Sequence, residues 1–124
     1  MLSDCISLLK MQVVEDCRGK LFPIDFSRLP FQPARMFTIA DVPIGTERGC
    51  HAHKQQSQLM ICVNGGVEIL ARINNESTKV LLEEPTQGLL VLPKVWTMQK
   101  FLKKNTRLMV FSSGLYDTDD YLLD

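Results

Sequence analysis

Both histidines of the chain lie in one short stretch, Arg48-Gly49-Cys50-His51-Ala52-His53-Lys54. Residues 42–47, which contain a proline and a glycine, predict a loop that leads into a strand. Side chains alternate between the faces of a strand, so His51 and His53 project from one side and Cys50 from the other. We therefore predict a strand that presents two imidazoles on one face, suited to metal binding, proton transfer or anion binding. Cys50 is expected to pack against the opposite face.

The remaining sequence indicates short strands separated by turns. Asn64-Gly65-Gly66 and the segment 74–77 predict hairpin turns, and residues 16–20 predict a further turn. The predicted strands cover residues 8–14, 21–26, 35–40, 57–63, 67–73, 78–82, 88–93, 98–102 and 106–112, with a helical turn within 117–123. Turns recurring every ~8–12 residues are typical of an antiparallel sandwich or barrel. The fold class is therefore predicted to be all-β.

Length and composition narrow the classes of function. A chain of 124 residues is expected to form one domain with its own core. Fourteen basic and fourteen acidic residues cancel, so no net charge favours nucleic acid or an anionic membrane as partner. The four cysteines form no CxxC pair and are expected to be reduced and mostly buried. Neither a signal peptide nor a long apolar span is recognisable, so a cytoplasmic protein is expected.

The histidine pair suggests a cupin, a jelly-roll barrel whose metal-binding members carry a His-x-His motif, a nearby glutamate and a later histidine. Here Gln58 lies near the position of the glutamate, and Trp96 and Thr97 lie where the later histidine would be. Two imidazoles without a third or fourth ligand make a poor site for a transition metal. We therefore expect no metal and regard the histidines as proton carriers.

Several motifs resemble the sugar-nucleotide 3,4-ketoisomerases, small cupins that act on dTDP-4-keto-6-deoxyglucose. The histidine stretch, Gln58 and the Asn64-Gly65 turn carry the first part of the resemblance. Further matches span nearly the whole chain: Asp16-x-Arg18-Gly19, Arg35, Pro93-x-x-Trp96 and Tyr116-Asp117-x-Asp119-x-Tyr121. The resemblance implies the cupin fold and a defined reaction.

In the implied reaction, the proton at C3 of the 4-keto sugar is removed, an enediol forms, and reprotonation at C4 leaves the ketone at C3. Such a reaction needs a base of near-neutral pKa, a second proton carrier and polar groups that stabilise the developing oxyanion. The resemblance implies His51 as the base and His53 as the partner, although the sequence does not decide their order. No cofactor is needed.

The resemblance also implies which residues hold the substrate. Arg18 and Arg48 are candidates for the diphosphate or sugar oxygens, because guanidinium groups bind phosphate at two points. The thymine ring would stack on Trp96 or Phe37. The full set of predicted substrate-binding residues is Arg18, Arg35, Phe37, Arg48, Gln58 and Trp96.

Two positions depart from the family pattern, which keeps other functions open. The strand after Arg35 usually carries a tyrosine where this chain has Phe37 and Thr38, and Thr97 replaces a common histidine. If the tyrosine hydroxyl is an essential acid, the chain would be a non-catalytic cupin that binds a nucleotide sugar. A related epimerase that shares the barrel is a third hypothesis.

The resemblance further implies a place in deoxysugar metabolism. The product would be the precursor of a 3-amino-3,6-dideoxyhexose for a surface glycan, such as lipopolysaccharide, or for a secondary metabolite. A homodimer is the expected assembly, with the apolar Ile6, Leu8 and Leu9 contributing to its interface. The configuration at C4, galacto or gluco, is left open by the sequence.

Overall fold

The computed structural model describes residues 1–122 and consists almost entirely of strands. The strands are β1 Ile6–Lys10, β2 Val14–Asp16, β3 Gly19–Leu21, β4 Arg35–Ala40, β5 Glu47–His53, β6 Gln58–Asn64, β7 Val67–Ile73, β8 Glu76–Leu82, β9 Gln87–Val91, β10 Trp96–Phe101, β11 Arg107–Ser112 and β12 Tyr121–Leu122. Short 3-10 helices cover Leu2–Asp4, Phe26–Arg28 and Thr118–Asp120. The all-β prediction is confirmed.

Ten of the strands form two five-stranded sheets. The first sheet has the order β1-β9-β6-β11-β4, the second has the order β12-β5-β10-β7-β8, and β2 pairs only with β3. Every pairing between the described strands is antiparallel. Successive strands therefore often belong to different sheets, as in a jelly roll.

The main core lies between the two sheets. Its fully buried side chains come from both sheets and include Met60, Val67, Phe101, Leu108 and Val110. Packing these apolar groups away from water is the main force that holds the sheets together. The cavity described below lies between the same two sheets.

The other face of the first sheet is also covered. Leu59 and Ile61 project from β6 away from the main core, and Phe111 joins them. Ile24, Leu29 and Phe31, from the connection between β3 and β4, pack over this second cluster. Burial of β6 on both faces explains its nearly continuous apolar sequence.

Two local predictions are wrong. Residues 21–26 do not form a strand, since β3 ends at Leu21 and a 3-10 helix begins at Phe26. Asn64-Gly65-Gly66 is not a hairpin turn, because β6 lies in the first sheet and β7 in the second. These residues do form a turn, in which Gly65 has φ 85°. The turn carries the chain from one sheet to the other instead of joining two paired strands.

Other local predictions agree with the structure. Asn74 and Asn75 form the two-residue turn between the paired strands β7 and β8. The tail contains the 3-10 helix Thr118–Asp120; Leu123, the last residue of the predicted segment, lies outside the described residues. Among the described residues, no helix has the length and apolar character needed to cross a membrane.

Candidate active site

The histidine strand β5 contains a bulge that changes which side chains share a face. Gly49 and His51 pair with consecutive residues of β10, so Cys50 is the extra residue. Gly49 has φ 86° and Cys50 has φ 60°, both in the left-handed region. The extra residue places Arg48 on the same side as His51, although their odd spacing would put them on opposite faces of a regular strand.

The predictions for the burial of the cysteines are wrong at two positions. Cys50 is exposed instead of packed against the sheet, and Cys17 is exposed as well. Only Cys62 is buried, and Cys5 is half-buried. All four are free thiols, but the expectation that most are buried is wrong.

A cavity of about 260 Å³ opens beside the two histidines, between the sheets. Residues of β4, β5, β6, β10 and β11 and of the C-terminal segment line it: Arg35, Phe37, Ile39, Arg48, Gly49, His51, His53, Gln58, Met60, Thr97, Gln99, Val110, Tyr116 and Tyr121. The predicted residues Arg35, Phe37, Arg48, His51, His53 and Gln58 are therefore brought together. A concave, mostly apolar site with a few convergent polar groups is typical of ligand binding.

His51 has one ring nitrogen anchored and one free. Its Nδ1 lies 3.0 Å from the carbonyl oxygen of Gly49. A carbonyl can only accept, so Nδ1 carries the proton and the neutral ring has its lone pair on Nε2. The ring stacks on Tyr121, with centroids 4.1 Å apart and an interplanar angle of 16°. These contacts fix the ring while leaving Nε2 without a hydrogen-bond partner among residues 1–122.

His53 is anchored at both ring nitrogens. Its Nδ1 lies 2.9 Å from Oδ2 of Asp120, and the amide nitrogen of Gln58 lies 3.1 Å from its Nε2. Because a carboxylate accepts and an amide nitrogen donates, these contacts fit a neutral ring with the proton on Nδ1. Burial lowers the pKa of His53 below the ordinary 6.5, and the hydrogen bond to Asp120 offsets part of that lowering.

The two imidazoles are close enough to act on one small group. Their ring centroids are 5.1 Å apart, with an interplanar angle of 73°. Both rings present Nε2 as the proton-accepting atom when they are neutral. The pair can therefore accept or return a proton at two neighbouring positions of one substrate.

Arg35 brings positive charge to the cavity from β4. Its Nε donates to the carbonyl oxygen of Gly114 at 3.1 Å. Its guanidinium lies 4.9 Å from the centroid of Phe37 and 5.7 Å from that of Tyr116. Phe37 thus supports the guanidinium through its ring face, a role that needs no hydroxyl.

Two predicted substrate-binding residues lie outside this cavity. Arg18 is in the exposed β2–β3 hairpin and pairs with Asp16, its Nη2 nitrogen 2.6 Å from Oδ2. Trp96 lines a separate surface depression with Lys94, and the guanidinium of Arg72 lies 4.1 Å from its ring centroid. Neither residue lines the cavity beside the histidines.

The C-terminal segment supplies groups to which no role had been assigned. Tyr116 and Tyr121 line the cavity, and the buried Asp120 contacts His53. Both tyrosines belong to a motif that carried the family resemblance, but Asp120 occupies one of its unspecified positions. The pairing of Tyr121 with His53 across β12 and β5 brings this segment to the site. The cluster of aspartates at 117, 119 and 120 is the one feature of the sequence that could have suggested a carboxylate near the histidines.

Within residues 1–122, no three His, Cys, Asp or Glu side chains come together as a possible metal site. The histidine next to Asp120 could offer only Nε2, and Gln58 already contacts that atom. The chemistry that this arrangement supports is proton exchange between the two imidazoles and a ligand in the cavity.

Comparison with known proteins identifies the family. The FdtA family model, described as WxcM-like, C-terminal, matches residues 4–124. The TDP-4-oxo-6-deoxy-alpha-D-glucose-3,4-oxoisomerase of Aneurinibacillus thermoaerophilus is 31% identical over 116 residues, which are 93% of this chain and 84% of that protein. The chain belongs to the FdtA family.

Solved structures of similar proteins agree with this assignment. QdtA, a sugar 3,4-ketoisomerase from Thermoanaerobacterium thermosaccharolyticum solved with TDP, has a TM-score of 0.92 and 33% identity, covering 96% of this chain and 88% of QdtA. The TDP-quinovose 3,4-ketoisomerase WlaRB from Campylobacter jejuni has a TM-score of 0.90 and 28% identity, covering 96% and 92%. A mutant of QdtA has been solved with TDP-4-keto-6-deoxyglucose. The cupin and family predictions are confirmed: this FdtA-family chain is an isomerase of the sugar 3,4-ketoisomerase class.

Proposed function

We propose that the protein moves the ketone of TDP-4-keto-6-deoxyglucose from C4 to C3 by proton transfer through an enediol. The observation that carries this proposal is the pair of imidazoles 5.1 Å apart, each with Nδ1 anchored; Nε2 of His51 is free, and Nε2 of His53 is bound by the side-chain amide of Gln58. The oxoisomerase named for this substrate is 31% identical to the chain, which supports the choice of sugar.

His51 is the base that acts on carbon. Its Nε2 removes the proton from C3, and the electron pair forms the C3–C4 double bond as charge moves to O4. The same imidazolium then returns a proton to C4 as the C3 carbonyl forms. The free Nε2 of His51 favours it over His53 for this role, because Gln58 occupies Nε2 of His53.

His53 is the carrier that acts on oxygen. Its Nε2 accepts the proton of the O3 hydroxyl and delivers it to O4, so both histidines end the cycle in their starting form. Gln58, displaced from His53 by the substrate, can donate its amide N–H to the developing oxyanion. Such donors stabilise the transition state in a site that excludes water.

Positive charge around the cavity serves the diphosphate and the sugar oxygens. Arg48 and Arg35 line the cavity from β5 and β4, and both guanidinium groups offer several N–H donors. Phe37 supports Arg35 instead of supplying an acid. Phe37 has no hydroxyl, but two tyrosines of the C-terminal segment, Tyr116 and Tyr121, also line the cavity and carry phenolic hydroxyls.

A homodimer would account for Arg18. The β2–β3 hairpin is exposed along its whole length and pairs with no other strand of its own chain. Val14, Leu21 and Phe22 leave apolar surface uncovered there. In the dimer, a second copy covers this surface and β1, and Arg18 enters the partner's cavity to bind phosphate.

The surrounding biology follows from the product. A 3-keto sugar nucleotide is the substrate that an aminotransferase needs to make a 3-amino-3,6-dideoxyhexose. We place the protein in the cytoplasm, where nucleotide sugars are made, and in the biosynthesis of a surface glycan or a secondary metabolite.

The test is proton NMR of the purified protein with TDP-4-keto-6-deoxyglucose in deuterated buffer. Conversion to a 3-keto sugar with deuterium at C4 is expected, because the half-buried His51 exchanges its proton with solvent. His51→Asn should abolish conversion, whereas Lys54→Gln, a change at an exposed neighbour, should leave it intact.

The non-catalytic hypothesis predicts a different result. Saturable binding of the nucleotide sugar with no exchange at C3 would contradict the isomerase proposal and favour a binding protein. Exchange of hydrogen at C3 or C5 without movement of the ketone would instead indicate an epimerase.

A further inference from the structure

Asp120 is a buried carboxylate to which the proton transfers described above assign no role. It and His53 each have side chains only 7% exposed. Burying a carboxylate is costly unless charge or hydrogen bonds compensate it. The only basic side chain that contacts Asp120 among the described residues is His53, so the carboxylate is placed for that ring.

The carboxylate is held in a fixed orientation. Oδ2 accepts from Nδ1 of His53 at 2.9 Å, and Oδ1 accepts from the backbone N–H of Gln55 at 2.9 Å. The backbone of Asp120 is held too, since its N–H donates to Asp117 at 3.1 Å and its carbonyl accepts from Lys54 at 2.7 Å. Four hydrogen bonds leave the carboxylate little freedom to turn away from His53.

We infer that Asp120 is a positioning residue of the isomerase: it keeps a proton on Nδ1 of His53, so that Nε2 is the atom that exchanges protons with the substrate. This inference rests on the proposed function and deepens it. Without the carboxylate, the neutral ring could place its proton on Nε2, where it would block acceptance of the O3 proton.

Asp120 does not itself take up the proton in this step. When Nε2 of His53 accepts the O3 proton, the ring becomes an imidazolium, and the carboxylate 2.9 Å away balances its charge. The ring returns to the neutral form when Nε2 passes the proton to O4. The proton on Nδ1 and the charge of Asp120 are the same before and after the transfer.

The variant Asp120→Asn tests this role with little change in shape. The asparagine oxygen can still accept from Gln55, while its amide nitrogen would donate to Nδ1 of His53 and drive the ring proton to Nε2. We expect kcat to fall roughly 10²–10⁴-fold with KM little changed, because a correctly placed proton carrier contributes about that much. Nitrogen-15 NMR of the histidines should show the proton of His53 moving from Nδ1 to Nε2.

Two controls separate positioning from general damage. Asp119→Asn changes the exposed neighbour in the same 3-10 helix and should keep both kcat and the His53 tautomer. In the double variant His53→Asn with Asp120→Asn, kcat should be no lower than in His53→Asn alone, because Asp120 acts through His53. Circular dichroism of each variant reports whether it is folded.

The inference would be overturned if folded Asp120→Asn kept wild-type kcat, or if its kcat fell without a change of tautomer. It would also be overturned if the double variant lost substantially more activity than His53→Asn. The NMR readout does not depend on turnover. An inactive wild-type protein with the expected tautomer change would therefore count against the isomerase proposal alone and support the positioning of His53.

Discussion

Two parts of the molecule each pair an aspartate with a basic side chain, and they differ in every other respect. At the cavity, the Asp120 and His53 side chains are each 7% exposed and lie between two sheets and the C-terminal segment. In the β2–β3 hairpin, the Arg18 and Asp16 side chains are 86% and 46% exposed. The first pair is fixed by the packing of the whole fold, whereas the second is fixed only by its own turn.

The difference shows which predicted site residues one chain can position. Side chains on the central strands are set by sheet register and need no partner molecule to converge. Arg18 is free to leave Asp16, since exposed ion pairs contribute little to stability. Its proposed role in phosphate binding depends on what covers the hairpin.

The largest expected effect is a loss of stability on removing Asp120, with Asp16 as the matched comparison. Asp120→Ala leaves the Gln55 N–H and Nδ1 of His53 without their acceptor inside the protein, which should cost about 3 kcal/mol. Asp16→Ala should leave the urea midpoint unchanged. Urea unfolding of both variants checks the comparison, and equal midpoints would show that the buried pair is not structural.

The next effect is on substrate binding, from removing arginines. Arg48→Ala should raise KM roughly 10–100-fold, because a charge-assisted hydrogen bond to phosphate is lost. Arg107→Ala, at an exposed position outside the cavity, is the control and should leave KM unchanged. Steady-state kinetics that show the same KM for both variants would remove Arg48 from the site.

The dimer proposal extends this test to the hairpin. Arg18→Ala should raise KM about tenfold if the residue binds phosphate in the partner's cavity. Mixed dimers of Arg18→Ala and His51→Asn chains would then contain one intact site, and activity at low substrate should exceed the sum of the parents. Additive activity would show that Arg18 does not serve a partner.

A smaller effect on kcat/KM should follow from replacing Gly49, in the bulge of β5, with alanine. Gly49 and Gly45 both have φ 86°, so alanine at either position carries similar backbone strain. A Cβ at Gly45 meets nothing within 4 Å, whereas at Gly49 it lies 2.7 Å from Oε1 of Gln99. Both alanine variants should lose similar stability, but only Gly49→Ala should lower kcat/KM, by roughly tenfold if the displaced amide costs one hydrogen bond. Equal kcat/KM would show that Gln99 moves aside freely.

The smallest effect should appear in the pH dependence of stability. The pKa of His53 is lowered in the folded state by burial, with smaller contributions from the charges of His51 and Arg35, so the unfolded chain binds the proton more readily. The stabilisation is therefore complete above pH 6.5 and is lost as the pH falls toward the folded-state pKa. Thermal melting from pH 8 to pH 5 should show a steeper decline for wild type than for His53→Asn. Parallel curves would mean that His53 titrates alike in both states.

The sequence contained much of this site but not all of it. The His51-x-His53 spacing was enough to place both imidazoles on one face, because alternation along a strand is a local rule. Gln58, which lies on β6, was assigned from the family resemblance. Asp120 could not be placed, since it lies 67 residues from His53 in the sequence and their contact depends on the pairing between β12 and β5. The β6–β7 hairpin was wrongly predicted because turn residues reveal a change of direction but not which sheet receives the next strand. Trp96 was assigned to the substrate on the family pattern, but it lies on the other side of β10 from Thr97.

The extra residue at Cys50 reverses which residues of the strand face the cavity, the even-numbered or the odd-numbered ones. Before it, even-numbered Arg48 faces the cavity; after it, odd-numbered His51 and His53 do. One strand thereby contributes an anion-binding group and two proton carriers at a spacing that regular alternation forbids. Without the bulge, the same seven residues in regular alternation would turn the guanidinium to the face opposite the imidazoles, whereas deleting Cys50 together with the bulge would bring them back to one face.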